Sequence, residues 1–339
     1  MSLDLPFPAA PAPGQTLGVA PGLLWLRMPL PFALDHINLW LIEEGEGWTL
    51  VDTGVASDKS RDLWEEVFTG PMGGRAATRL LCTHFHPDHM GLADWLTTRF
   101  GLTMETTLAE WLMARGMSQT TSADFNAISL PFYRAAGFGE ELVAAAEQRG
   151  NSYAKMVPAV PSRFIRIRAG EALAIGGRRW EVIPGEGHSP DLAALYCAEL
   201  GVLISGDQVL PSITPNVSVW PTEPEADPLG LFLGSFERFR HLPEDTLVLP
   251  SHGLPFRGLH RRLDTVASHH DERLARCLDA CAEPRSGAEM IKVLFRRELD
   301  SHQIFFAIGE ALAHLHLLRT RGLVSREDGA DGVQRWKRA

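Results

Sequence analysis

At 339 residues the chain is longer than one typical domain, and 45% hydrophobic with 22% charged residues is the composition of a globular protein. A formal net charge of -10 gives it a field that repels polyanions, so nucleic acid is not the default partner. Cys82, Cys197, Cys277 and Cys281 form no C-x-x-C pair, which argues against a disulfide framework or a cysteine zinc site and fits a reducing cytoplasm.

Residues 1–19 form a Pro-rich lead without the basic and apolar regions of a secretory signal. No later segment reaches the roughly 18 uncharged apolar residues of a membrane span. Short strands are expected at Leu23 to Leu26, Ile37 to Ile42 and Trp48 to Val51, the last two joined by a Gly45-Glu46-Gly47 turn. Leu63, Trp64, Val67 and Phe68 share one face of a helix near 58–68, and Arg79 to Cys82 is a buried strand. A helical insertion is expected over about 106–160, with Leu108, Trp111, Leu112, Phe125, Ile128, Phe132 and Leu142 among its apolar positions. Strands resume at 163–167, 179–183, 193–196, 202–204 and 246–249, an order that predicts an α/β sandwich with helices on its outer faces.

Leu259 to Ala282 has the three-and-four spacing of a long amphipathic helix, stopped by Glu283-Pro284. Beyond it come a helix near Gly287 to Arg297, another from about His302 to Arg319, and a strand pair around 328–332. The expected units are therefore a main domain over 20–282 and a small winged-helix-like domain over 283–339.

The chemistry concentrates in Thr83-His84-Phe85-His86-Pro87-Asp88-His89, three imidazoles and a carboxylate within six residues directly after a strand. Imidazole and carboxylate are good zinc ligands, and alternation lets His84 and His86 share one ion while Asp88 and His89 face a second. A lone strand histidine is more often a core or surface residue, but four candidates in H-x-H-x-D-H order reverse those odds. Three further turns each follow an apolar strand and set glycine beside a potential ligand: Gly187-His188, Gly206-Asp207 and His252-Gly253.

These motifs, with Val51-Asp52-Thr53-Gly54, resemble the metallo-β-lactamase superfamily over most of residues 20–282, in the branch that includes glyoxalase II thioesterases and a β-lactamase-like endoribonuclease. The resemblance implies a four-layer αββα sandwich. It also implies two divalent ions, zinc or in some members iron or manganese: one on His84, His86 and His188, the other on Asp88, His89 and His252, with Asp207 bridging. Asp52 is then expected to orient a histidine ligand rather than only to cap a turn. Zinc β-lactamases proper usually carry cysteine where Asp207 stands, which argues against antibiotic hydrolysis. The implied reaction is attack on a small acyl ester or thioester by hydroxide bridging the ions, with Asp207 holding both and Asp88 assisting proton transfer.

For the substrate pocket, Met113, Met117, Phe132, Tyr133, Phe138, Tyr153, Met156 and Trp220 can contribute apolar walls, or can simply pack the insertion onto the sandwich. Two other functions stay open, a metal-dependent endoribonuclease and a mononuclear iron dioxygenase. For the first, ten Lys/Arg against eight Asp/Glu after residue 282 is too small an excess to imply a nucleic-acid surface. The apolar stripe at Ile304, Phe305, Ile308, Leu312, Leu315 and Leu318 is expected to pack on a core or to form a homodimer contact.

Overall fold

The computed structural model describes residues 3–300 and 303–339. Among the described residues, two sheets lie face to face. The first runs β1 (Thr16–Ala20), β2 (Leu23–Pro29), β3 (His36–Glu44), β4 (Gly47–Val51), β5 (Ala77–Leu81), β6 (Met104–Thr106) and β7 (Phe164–Arg166), in that spatial order. Its first four strands are antiparallel and its last pairings, from β4 onward, are parallel. The helices α1 (Asp58–Thr69), α2 (Pro87–Met90) and α3 (Ala93–Phe100) supply its crossovers, and α4 (Leu108–Gln119), α5 (Ser122–Ala135), α6 (Glu140–Arg149) and α7 (Ser152–Met156) intervene between β6 and β7.

The second sheet holds β8 (Ala172–Ile175), β9 (Arg178–Gly185), β10 (Leu192–Cys197), β11 (Val202–Gly206) and β12 (Leu247–Pro250), in the order β12-β11-β10-β9-β8. Between β11 and β12 stand α8 (Pro228–Ser235) and α9 (Glu237–Arg240). The chain then builds α10 (Leu259–Ala280), β13 (Arg285–Ser286), α11 (Gly287–Leu294), α12 (Gln303–Thr320) and the antiparallel pair β14 (Val324–Asp328) and β15 (Gln334–Arg338).

Strand alternation builds the layers. Trp40 and Ile42 point between the sheets, where they meet Trp180, Val182, Leu195 and Ile204; Leu39 and Leu41 point outward onto Trp64, Val67 and Phe68. On the other side, Ile183, Ala194 and Leu203 pack against Phe232, Leu259 and Leu263 of α8 and α10. The result is a four-layer mixed α/β sandwich with an additional C-terminal unit.

Several expectations shift. The long helix stops at Ala280 rather than Ala282, and the helix from Gly287 ends at Leu294 rather than near Arg297. His302, the expected start of the last helix, lies outside the described residues. The apolar stripe of α12 is covered within the chain itself: Phe305, Ile308, Leu312, Leu315 and Leu318 are all buried, in one cluster with residues of α8, α10 and α11. Leu112 and Ile128, read as packing positions, are about half exposed, because α4 and α5 form a single covering layer with an outer face in water. Four short strands, β1, β6, β8 and β13, were not expected at all. No helix among the described residues is long and apolar enough to cross a membrane.

Candidate metal centre

The strand ends that carry the histidine and aspartate motifs meet at one edge of the sandwich. The loops after β4, β5, β9, β11 and β12 deliver Asp52, the His84–His89 run, His188, Asp207 and His252 respectively. Close approach constrains these loops: Gly187, beside His188, has φ +88°, and a Cβ there would fall 2.2 Å from the carbonyl oxygen of Pro228.

The structure brings all seven candidate ligands together in two groups. In one, His86 Nδ1 lies 3.0 Å from both His84 Nε2 and His188 Nε2, and the latter two are 3.3 Å apart. Ligands at about 2.0 Å around a tetrahedral ion stand about 3.3 Å from one another, so this spacing suits one shared ion. In the other group, His252 Nε2 is 3.4 Å from Asp88 Oδ2, and His89 Nε2 is 3.7 Å from that same oxygen. Asp207 faces both. Its Oδ2 is 3.3 Å from His188 Nε2, while its Oδ1 is 3.4 Å from His89 Nε2 and from His252 Nε2.

Hydrogen bonds on the far ring nitrogens fix how these imidazoles present themselves. His188 Nδ1 donates to the Asn216 carbonyl at 2.7 Å, and His252 Nδ1 to the His36 carbonyl at 2.8 Å. His89 Nδ1 donates to Asp52 Oδ2 at 2.8 Å. Each bond leaves an Nε2 lone pair aimed at the cluster. Asp52 also accepts from the Thr83 amide at 2.7 Å and the Thr83 hydroxyl at 2.8 Å, and Thr83 in turn contacts His84 Nδ1 at 3.0 Å. Among the described residues Asp52 is the one non-glycine residue in the left-handed region, at φ 65°. The buried carboxylate is thus held in a costly backbone conformation by the very contacts that orient His84 and His89.

The donor set fits divalent cations. His89 Nε2 and Asp207 Oδ1 are buried with no hydrogen-bond partner, although they lie close enough to attract electrostatically. Two buried, unsatisfied acceptors facing each other are costly unless a cation sits between them. The charge balance says the same. Burial works to hold His252 down, but Asp207 and Asp88 outweigh it and lift the imidazole to about 10. Burial also works against a charged His89, yet Asp88, Asp52 and Asp207 raise it well above its ordinary value. His86, where burial prevails with His188 beside it, falls to about 3. Carboxylates that draw protons onto neighbouring imidazoles offer the charge that ions would otherwise neutralise.

Two side chains tie the insertion to this edge: Glu110, which sequence reasoning missed, and Tyr153, which it placed only in the substrate pocket. Glu110 of α4, fully buried, accepts from the Phe85 amide at 2.9 Å, the Ser189 hydroxyl at 2.8 Å and the Asp191 amide at 2.7 Å. Phe85 lies between His84 and His86, and Ser189 follows His188, so one carboxylate grips both loops of the first ligand group. Burial pushes Glu110 up to about 7 against the pull of these donors. Tyr153 of α7 donates to the Phe85 carbonyl at 2.6 Å, satisfying the other polar group of that residue. Nothing in the spacing around Glu110 distinguishes it from a surface acid on a helix.

Above the cluster opens a cavity of about 430 Å³ that reaches His86, Asp88, His188, Asp207 and His252. Of the residues proposed to wall it, Met113, Met117, Tyr133, Tyr153, Met156 and Trp220 do line it. Phe132 and Phe138 do not; Phe138 stacks on Tyr133 in the core, and Phe132 packs against the same cluster. Phe132 on α5 and Phe138 in the connection to α6 pack into the core cluster that includes Phe305 of α12 rather than toward the opening. Phe305 and Phe306 of α12 complete the wall, an unexpected contribution from the C-terminal unit.

Comparison with known proteins agrees with this geometry. A family model described as the metallo-beta-lactamase superfamily matches residues 33–252, and one described as a metallo-beta-lactamase-like C-terminal domain matches residues 274–339. A solved beta-lactamase domain protein from Burkholderia ambifaria is 47% identical, with a TM-score of 0.93 over 99% of this chain and 98% of its own. The metallo-beta-lactamase family protein TTHA1429 from Thermus thermophilus is 31% identical, with a TM-score of 0.75 over 95% of this chain and all of its own. The probable metallo-hydrolase YqjP of Bacillus subtilis (strain 168) is 23% identical over 88% of this chain and 93% of its own length.

Proposed function

The chain belongs to the metallo-beta-lactamase superfamily, as a metallo-hydrolase of that fold, and from that premise we propose that it hydrolyses a small acyl ester or thioester at a centre of two divalent ions, zinc in the first instance. The observation that carries the reading is Asp207, whose two oxygens address two separate ligand groups at the floor of a largely apolar cavity. His84, His86 and His188 would hold one ion, Asp88, His89 and His252 the other, and Asp207 both. Bound divalent ions supply Lewis acidity and bring the pKa of water from about 15.7 to about 7.

The chain's own residues supply positioning. Asp52, the Asn216 carbonyl and the His36 carbonyl lock three imidazoles in the tautomer that leaves Nε2 free. Asp88 is 17% exposed in its side chain, whereas His89 and His252 are buried, so it is the carboxylate of its group placed to take up a proton at the cavity floor. Apolar walls from Met113, Met117 and Trp220 exclude water and receive an aliphatic chain. Within the superfamily we place the chain beside the glyoxalase II thioesterases rather than the endoribonuclease. The terminal helices and hairpin, read as winged-helix-like, then serve as a brace and cavity wall.

Elemental analysis of the metal-supplemented protein is expected to give two ions per chain, and an acyl-thioester panel is expected to be turned over in preference to single-stranded RNA. About one ion per chain would contradict the two-ion centre, and one iron with oxygen consumption would replace hydrolysis by oxygenation. RNA cleavage lost in Asp207→Ala, with no ester or thioester turnover, would make the endoribonuclease reading the better one.

A further inference from the structure

The cavity also holds a cation that the metal chemistry does not use. Arg149 ends α6 and lines the cavity, half-buried, its guanidinium carbon 5.2 Å from the Phe305 ring centre and 5.9 Å from that of Phe306. Three other arginines withdrawn from water have acceptors: Arg79 forks onto Glu105, Arg262 donates to the carbonyls of Leu210 and Ile213, and Arg273 pairs with Glu310. Among the described residues Arg149 has no side-chain hydrogen bond and no carboxylate within ion-pair distance. Of the nearby polar groups, the Tyr133 phenol shares the cavity lining and attracts the guanidinium electrostatically without a hydrogen bond to it. Asn151 donates to the carbonyls of Met117 and Thr120, and Glu223, an acid on the cavity lining, is exposed and forms no pair with it.

A guanidinium removed from water costs free energy until an acceptor reaches it, and its planar fork matches a carboxylate or phosphate. Two aromatic faces hold it in place from below. Among the described residues no other Lys or Arg lines the cavity. We infer that Arg149 is an anion-binding subsite, so that the substrate carries a carboxylate or phosphate as well as an apolar segment and a scissile acyl bond. This rests on the hydrolytic reading. The anion can sit at the far end of the acyl chain or on the carrier thiol, and the two sources are separable by experiment.

The test compares kcat/KM for three thioesters: octanoyl-N-acetylcysteamine, which is neutral; octanoyl-coenzyme A, anionic on the thiol; and the N-acetylcysteamine monothioester of octanedioic acid, anionic on the acyl end. One anionic substrate is expected to exceed the neutral one by about tenfold to a hundredfold, the range of one charge-assisted hydrogen bond. Arg149→Met, which keeps a stem over Phe305, is expected to collapse that ratio toward one, and Arg149→Lys to restore part of it. Whichever substrate loses its advantage identifies the source. Ratios unchanged in Arg149→Met, with thermal stability equal to wild type, would reduce Arg149 to a cover for two rings. Should Arg149→Met fold poorly, Arg149→Gln reads the same ratio. If wild type turns over none of the three, hydrolysis of thioesters fails on its own account. Calorimetric titration with octyl sulfate and octanol then decides the subsite: a preference for the sulfate that Arg149→Met removes supports it, and equal affinities in both proteins overturn it.

Discussion

The floor and the wall of the cavity are built on opposite principles. The floor is polar, comes from five loops at one edge of the sandwich, and concentrates its candidate ligands in short motifs next to glycine. The wall is apolar, comes from α4 to α7, the segment around Trp220 and α12, and draws single residues from helices whose other faces do different things. The floor can be rigid because each imbalance of charge or hydrogen bonding there is expensive. The wall can vary, because an aliphatic surface tolerates Met, Phe or Trp with small changes in free energy. Glu110 and Tyr153 blur the division, since they start in the wall and end on the ligand loops.

The largest effect is expected where the floor has one residue serving both ligand groups. Asp207→Ala removes the oxygens facing His188 on one side and His89 and His252 on the other. Activity is expected to fall by on the order of 10³-fold or more, beyond the roughly 10- to 100-fold typical of changes outside the ligands themselves. Metal content is expected to fall with it. A variant that retains two ions and full turnover would show that the two ligand groups do not share this carboxylate.

The floor was also the legible part of the chain. His84, His86, Asp88 and His89 declare themselves by density, and His188, Asp207 and His252 by ending apolar strands beside glycine. Those are local signals, because a ligand must lie on a turn that aims it. The wall has no such signal. Tyr133 on α5 and Phe138 in the connection to α6 stack on each other, yet only Tyr133 reaches the cavity, because the choice depends on how the insertion packs against elements distant in sequence. Glu110 escaped notice because its three partners, Phe85, Ser189 and Asp191, are all remote in sequence. The missed strands had a different cause: β6 is three residues long, and β8 is announced only by the Gly176-Gly177 turn that joins it to β9.

Glu110→Gln probes the joint between the two regions and is expected to have an intermediate effect. Glutamine offers one acceptor oxygen where Glu110 Oε1 receives Ser189 and Asp191 and Oε2 receives Phe85, so one donor is left facing an amide NH₂. Metal affinity measured by chelator competition is expected to weaken about 10- to 100-fold, with kcat falling at equal metal occupancy. Tyr153→Phe, which removes only the bond to the Phe85 carbonyl, is expected to lie between this variant and wild type. If both bind metal as wild type does, the insertion covers the floor without shaping it.

The smallest effect is expected in the wall itself. Met113 is half-buried on α4, packs beside the outer core of the first sheet and lines the cavity without contacting any proposed ligand. Met113→Ala shortens an aliphatic surface that an acyl chain would touch, and each methylene of that chain left unburied is worth about 0.8 kcal/mol, or about fourfold in binding. The ions should be unaffected, because no hydrogen bond of the floor runs through this side chain. Across acetyl, butyryl, hexanoyl and octanoyl thioesters, KM is expected to rise progressively with chain length while kcat stays near wild type. That pattern separates a wall residue from a floor residue: removing uniform binding raises KM, whereas disturbing the ligands lowers kcat for every chain length alike. A uniform fall in kcat would mean that the apolar helices transmit to the metal loops as strongly as Glu110 does, and the division between floor and wall would not hold.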